Sequence, residues 1–386
     1  MTHIPYATQT IEEPDLAAVR DVLTSGWLTQ GPAGPAFESA FASLHGVAHA
    51  IAVSNATAAL HLACLALDVA PGQIVWTCPN SFVASANCAR YCGADVDFVD
   101  IDPHTRNMSL DALREKLQVA QASGRLPSVV IPVHFAGLPC DLQGMRELAD
   151  RYGFAIVADA SHAVSAQYLG QSVAARYADI SVFSFHAVKI ITTCEGGLLA
   201  TNRADLAHKL RLLRSHGITR DPADMESPPE GAWVYEQHLL GFNYRLPDVQ
   251  AALGSAQLAR LPVFQARRVQ LATRYPSLLA GLPLKLPTVL ADRSHAWHLY
   301  VVEVEDGAAV TRAQVFAQLR AAGIGVNVHY TPIHLQPYYR RLGFSEGMFP
   351  HAEAYGRRAL SIPLFPLLSD AQQQQVADAL RDALCP

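Results

Sequence analysis

Charge is scarce in this chain, and neither sign dominates. Only 16% of the residues are Asp, Glu, Lys or Arg, and 29 basic against 34 acidic side chains leave a formal net charge of -5. No basic run stands out, so the sequence has no electrostatic footprint for nucleic acid. Long apolar runs are absent as well. No uninterrupted stretch approaches the length of a membrane span, and the start, Met1-Thr2-His3-Ile4-Pro5, has neither the basic nor the apolar segment of a secretory leader. These absences set the expectation of a soluble, cytoplasmic protein. Cysteine is sparse and odd in number: Cys64, Cys78, Cys88, Cys92, Cys140, Cys194 and Cys385. Such a scatter is not a disulfide framework in a chain of this size. Cys88 and Cys92 lie four apart and could share a helix face. No His/Cys pair accompanies them at zinc spacing, so two small buried residues are expected, and no metal.

Apolar residues are plentiful. They make up half of the 386 residues, enough for one large or two ordinary domains. Pro14 to Ser25 reads as a first helix, Gly31 to Pro35 as a loop, and Ala36 to Leu44 as a second helix. Apolar runs at Ala50–Val53, Ile74–Thr77, Val96–Asp100, Val129–His134, Phe154–Asp159 and Ile180–Phe185 read as strands. Helical segments at Ala58–Leu67, Phe82–Tyr91 and Leu142–Tyr152 separate several of them. This alternation predicts an α/β fold, a mainly parallel central sheet with helices on both faces. Pro247 to Tyr275 reads as one long helical segment leading into a smaller C-terminal α/β domain. That domain has strand candidates at Leu299–Val304 and Val326–His329, and helices at Arg312–Ala322 and Asp370–Leu384. The division is a large domain over residues 1–250 and a small one over 251–386.

The most informative residue is Lys189, in Ser184-Phe185-His186-Ala187-Val188-Lys189, just past a strand and before Gly196-Gly197. A lone lysine is usually solvated, but this one sits in an apolar loop. About thirty positions upstream, the apolar run Ile156-Val157-Ala158 ends in Asp159, followed by Ala160-Ser161-His162. A carboxylate there is costly without a partner. A lysine and an acid at the carboxyl ends of strands suit pyridoxal phosphate (PLP). The amine attaches the cofactor and the acid pairs with its protonated pyridine nitrogen. A third strand runs through Ser54-Asn55-Ala56-Thr57 into a helix, whose unpaired N–H groups suit a phosphate. There Thr57 either adds its hydroxyl or caps the helix. Phe82, opening a helix, either stacks on a ring or packs in the core. Asn243 and Arg245, in Gly241-Phe242-Asn243-Tyr244-Arg245, are polar residues that a helix-entry loop alone does not explain. His329, Tyr330 and His334 form a His-rich aromatic loop, suited to a sugar nucleotide or to surface packing.

In this order the motifs resemble the DegT/DnrJ/EryC1/StrS family of fold-type I PLP-dependent sugar aminotransferases. The likeness runs from Gly26-Trp27-Leu28-Thr29-Gln30-Gly31 to Ser361-Ile362-Pro363-Leu364-Phe365-Pro366. Within the family the chain is most similar to C4 aminotransferases of pseudaminic acid synthesis, through Ser81 to Asn87, Ser161-His162-Ala163 and Val328 to Ile333. Ile190 and Cys194 depart from that subgroup, which usually carries Pro and a small non-sulfur residue there. The resemblance implies a role for each matching residue. Lys189 would hold PLP and shuttle the proton, and Asp159 would pair with the ring nitrogen. The Ala56 backbone, Thr57 and Ser184 would bind phosphate. Phe82 would stack, and His162 would lie near the ring oxygen. Asn243 would reach the partner subunit's phosphate, which makes the active unit a homodimer with its sites at the interface. His329, Tyr330, His334 and Arg245 would meet the substrate. The reaction implied moves an amino group from L-glutamate to C4 of a UDP-4-keto sugar. The nearer alternative is the same chemistry on a bacillosamine, legionaminic or dTDP-linked precursor. A PLP-binding regulator without turnover is the alternative of another class, and no DNA-binding segment stands before the PLP-like region to favour it.

Overall fold

A computed structural model describes residues 3–385. The outer limits of the two expected domains, at Met1 and Pro386, lie outside the described residues. The alternating apolar runs form seven strands of one sheet: β1 (His49–Val53), β2 (Ile74–Thr77), β3 (Asp95–Phe98), β4 (Val129–Ile131), β5 (Ala155–Asp159), β6 (Ile180–Ser184) and β7 (Gly197–Thr201). Their order across the sheet is β1-β7-β6-β5-β4-β2-β3. The pairs from β6 through β5, β4 and β2 to β3 are parallel. Only β7 runs antiparallel to its neighbours, β1 and β6. Strands β4 and β6 are buried along their whole length, which is why they read as continuous apolar runs rather than alternating ones. The mainly parallel sheet is therefore as expected, with helices packed around it.

This topology gathers chain ends at one edge. Asp159 closes β5 and Ser184 closes β6. Because β7 is reversed, its first residue, Gly197, lies at that same edge, paired with both Ser184 and Val53. Val53 ends β1, and the chain then turns into a helix over Ala56–Ala66.

The C-terminal region forms an antiparallel sheet of β8 (Leu284–Lys285), β9 (Tyr300–Val304) and β10 (Ala359–Ile362). Helices Arg312–Ala321 and Asp370–Leu384 pack with it around a second core that also takes in Ile4. Glu303 of β9 joins the two regions. It accepts from Arg106 Nε at 2.7 Å and from Arg358 Nη2 at 3.0 Å. The boundary expected at residue 250 falls inside the helix Asp248–Ala259.

Four local expectations need correction. The helix expected from Ala36 begins at Ala33, inside the expected loop, because Pro32 and Pro35 fall where a first helical turn tolerates proline. The helix expected from Phe82 begins at Ala84, so Phe82 precedes it. The long segment after Pro247 is two helices, Asp248–Ala259 and Leu261–Leu278, meeting at Arg260, whose guanidinium is drawn to Asp15 at 2.7 Å. Val326–His329 is not a strand. It makes one bridge, Asn327 to Ser361, beside β10.

Candidate active site

The edge where β1, β5 and β6 end opens into a cavity of about 750 Å³. Ala56, Thr57, Phe82, Asp159, His162, Ser184 and Lys189 line it, together with His329 and Tyr330. Strand ends bring these distant positions to one place.

The helix Ala56–Ala66, here α3, presents its amino end to the cavity. Its cap is Asn55, whose side chain accepts from Ala58 N at 2.8 Å. That leaves the Thr57 hydroxyl without a hydrogen-bond partner among the described residues, although it lines the cavity. Unpaired N–H groups and a free hydroxyl are the donors an anion needs. Gly197 lets β7 come close to this turn. A Cβ on it would sit 2.5 Å from the Asn55 carbonyl carbon and 2.6 Å from Ala56 N.

Asp159 is 5% exposed, and both its oxygens are engaged. Oδ2 accepts from Ser85 Oγ at 2.6 Å and Oδ1 from Ser161 N at 3.1 Å. Ser85 in turn lies 2.7 Å from Ser81. Both serines sit in the Ser81 to Asn87 motif, yet the bond of Ser85 to the acid, with Ser81 behind it, is not evident from the sequence. Spacing of four within one short stretch was the available signal.

Lys189 is half-buried in the turn after β6, its N–H bonded to His186 O. Burial lowers its amine from the ordinary lysine range to about 8, a shift that the Asp159 charge partly opposes. About a tenth of the amine is then uncharged at pH 7, against well under a thousandth for an ordinary lysine, and it is the uncharged form that a nucleophile or proton acceptor requires.

The buried imidazoles His162 and His329 on the cavity wall are neutral for related reasons. Burial, then the charge of Lys189, holds His162 well below the usual range. The same causes take His329 to about 4. Ala136 N donates to His162 Nδ1 at 3.3 Å, so the neutral ring carries its proton on Nε2, 3.4 Å from Tyr330 Oη. His329 Nδ1 lies 2.7 Å from Ser361 Oγ. His298 was not anticipated. It is buried, lines the cavity and lies against His162 with ring centroids 4.5 Å apart. No sequence motif marked it. Phe82 stands at the wall 58% exposed, with its ring free to cover a bound group.

Three expected residues are placed elsewhere. His334 is fully buried outside the cavity, its Nε2 2.9 Å from Glu353 Oε1, so the packing role and not nucleotide contact fits its position. Asn243 is exposed, bridged to Ser215, and does not line the cavity of its own chain. Arg245 is held beside Val53 at the sheet edge, also outside the lining.

Comparison with known proteins agrees with this arrangement. The model of the DegT/DnrJ/EryC1/StrS aminotransferase family matches residues 9–381. The chain belongs to that family. It is 39% identical over 383 residues to the spore coat polysaccharide biosynthesis protein SpsC of Bacillus subtilis, covering 98% of this chain and 96% of that one. Among solved structures, PseC of Helicobacter pylori, an aminotransferase of pseudaminic acid biosynthesis, superimposes with a TM-score of 0.90 at 28% identity over 99% of both chains. The PMP form of the putative sugar aminotransferase Spr1654 of Streptococcus pneumoniae does so with a TM-score of 0.90 at 29% identity, over 98% of both chains. The protein is a PLP-dependent sugar aminotransferase of fold type I.

The residues present suit that cofactor. A buried carboxylate faces the cavity from one strand end, an amine of lowered basicity from the next, and a donor-rich helix end lies beside them. When bound, PLP supplies an aldehyde for the amine to engage and an electron-withdrawing ring. Among the described residues no group of three His, Cys, Asp or Glu is arranged to hold a metal, and no helix is long and apolar enough to cross a membrane.

Proposed function

We propose that this enzyme transfers the amino group of L-glutamate to C4 of a UDP-4-keto-6-deoxy-N-acetylhexosamine, in pseudaminic acid (nonulosonate) biosynthesis in the cytoplasm. The observation that carries this reading is the part of the cavity wall formed by His162, His329 and Tyr330, which is neutral, polar and aromatic at once. Such a surface offers hydrogen bonds and stacking to a sugar nucleotide without a fixed charge. Similarity to PseC over nearly the whole chain supports the same sugar.

In this reading Asp159 holds the proton on the pyridine nitrogen. Thr57, the Ala56 N–H and Ser184 hold the phosphate, and Phe82 covers one face of the ring. Lys189 Nζ takes the proton from the amine-bearing carbon of glutamate and returns one to C4 of the sugar in the second half of the cycle. His162 donates from Nε2 to the ring oxygen. Asn243 completes the phosphate site of the partner subunit in a homodimer.

The likeness to SpsC, a spore coat polysaccharide protein, favours a second reading with the same chemistry on another nucleotide keto sugar. A panel of UDP- and dTDP-linked keto sugars, assayed with glutamate for formation of the amino sugar, separates the two. Preference for the UDP-linked 4-keto-6-deoxy-N-acetylhexosamine supports the first. Preference for a dTDP-linked or 3-keto sugar replaces it with the second.

A further inference from the structure

Asp159 is buried, and the groups that hold it are neutral: one hydroxyl and one peptide N–H. The hydroxyl comes from a short segment, Ser81 to Ser85, at the amino end of the helix Ala84–Tyr91, here α4. Ser85 lies in the first turn of α4 and is wholly buried, outside the lining of the cavity. Its Oγ donates to Asp159 Oδ2 at 2.6 Å, the short distance of a bond to a charged oxygen. A serine hydroxyl has one proton, and here the acid receives it. Ser81, whose Oγ lies 2.7 Å from Ser85 Oγ, is therefore the donor in the second bond. The chain of hydroxyls runs one way, from Ser81 through Ser85 to the carboxylate, and each bond polarises the next. The positive end of α4 favours the same negative charge. Ser161 N holds the other oxygen at 3.1 Å. Bonds to both oxygens set the plane of the carboxylate as well as its charge.

The same segment carries Phe82. Ser85 N donates to Phe82 O at 3.2 Å, and Ser81 and Phe82 line the cavity together with Asp159. One turn of chain thus presents a ring to the cavity and grips the acid from behind.

We propose that Ser85, backed by Ser81, is a positioning residue for transamination: it orients Asp159 and holds its negative charge toward the pyridine nitrogen of PLP. The serine pair thereby sets how strongly the cofactor ring withdraws electrons. This rests on the reading of Asp159 as the partner of that nitrogen. Without Ser85 the carboxylate keeps one anchored oxygen and loses the donor that favours its charged form. A hydrogen bond to a charged group is worth roughly tenfold to a hundredfold in an equilibrium. Ser85 does not line the cavity, so its loss acts through Asp159 and not through lost contact with substrate.

The full-length enzyme, reconstituted with PLP isotopically labelled at its ring nitrogen, provides the test. The resonance of that nitrogen reports its protonation directly, whatever the turnover. In the parent it should lie in the protonated range. Ser85→Ala should move it toward the unprotonated range, and kcat should fall by roughly tenfold to a hundredfold while KM for glutamate stays within about twofold. Ser85→Thr keeps the hydroxyl and should restore both. Ser81→Ala leaves the bond to Asp159 and removes only the donor behind it, so both readings should shift the same way by a smaller amount. It also carries the test if Ser85→Ala does not fold. Asp159→Asn separates the proposal from the reading beneath it. If Asp159→Asn moves the resonance and the serine variants leave it where the parent has it, Asp159 keeps its role and the proposal is overturned. If Asp159→Asn itself leaves the resonance in place, the reading of Asp159 falls and the proposal with it. A loss of kcat in Ser85→Ala with an unmoved resonance also overturns it, because Ser85 is then a packing residue only.

Discussion

Lys189 and Asp159 are tuned against each other. Burial strips the amine of its charge and the carboxylate restores part of it, and the balance leaves Lys189 near 8. This has a signed consequence for stability. Between about 8 and the ordinary lysine value the unfolded chain holds more protons at this position than the folded one, so its contribution makes the apoprotein more stable as pH rises through that window. Below pH 8 the folded apoprotein must accommodate a partly desolvated ammonium. Lys189→Met should therefore raise the unfolding free energy of apoprotein at pH 7 by about 1–2 kcal/mol after allowance for partial solvent screening, seen as a higher melting temperature. The gain should shrink as pH approaches 10. A thermal melt series of both proteins between pH 6 and 10 checks it, and a constant difference would show that Lys189 sits in solvent. Asp159→Asn tests the other half. The amide keeps the shape and the bond to Ser85, so the variant should fold and bind PLP yet lose turnover by a factor on the order of a hundred. Near-normal turnover would reduce Asp159 to a structural carboxylate. Both residues were legible in the sequence because each breaks a local rule, a charge at the end of an apolar run. His298 breaks no such rule. A histidine between two aromatic residues in Trp297-His298-Leu299-Tyr300 reads as packing, and only the fold carries it to the cavity wall.

At the level of elements, the reversed strand β7 does more than widen the sheet. Its first residue is pressed against the turn where β1 enters α3, and no side chain fits there. Gly197→Ala should force that turn outward. The expected result is a loss of about 1–3 kcal/mol in stability, typical of overpacking, together with at least tenfold weaker PLP binding. Asn55→Ala removes only the cap, and should cost about 1 kcal/mol with a smaller effect on PLP. Equal effects of the two on cofactor affinity would mean that the cap, rather than the close approach, sets the site. Most strands and helices of the large region could be read from apolar runs and breakers, because both are local. The exceptions have a common cause. Val326–His329 has the composition of a strand, but only Asn327 finds a partner, and pairing is decided by distant β10. Pro32 and Pro35 looked like a loop, although proline near a helix start is compatible with the helix that forms.

For the whole molecule, the decisive question is what lies outside a single chain. Asn243 was expected at the cofactor phosphate, and its own cavity does not include it. It is exposed on the segment Phe242 to Arg245, which runs beside the end of β1, where Tyr244 O accepts from Ser54 N at 2.8 Å. Exposed aromatic and aliphatic side chains are common in this part of the chain, with Trp233 75% and Leu240 85% accessible. A monomer gains nothing by leaving them in water, and the proposed homodimer offers one way to cover them. The sequence could suggest this only through resemblance, since periodicity and spacing do not report a partner. The expectation is that Asn243 serves the other subunit, and complementation tests it. Lys189→Ala and Asn243→Ala, each inactive alone, should regain activity when mixed and allowed to exchange subunits. In a hybrid dimer one site receives both intact residues and the other lacks both. Random exchange makes half of the dimers hybrids, each with one working site, so recovery should approach about a quarter of the parent's activity per chain. Exchange is followed independently by tagging one variant and isolating mixed dimers. If mixed dimers form and remain inactive, Asn243 acts within its own subunit or only in folding, and the exposed segment around it must be explained by something other than a shared active site.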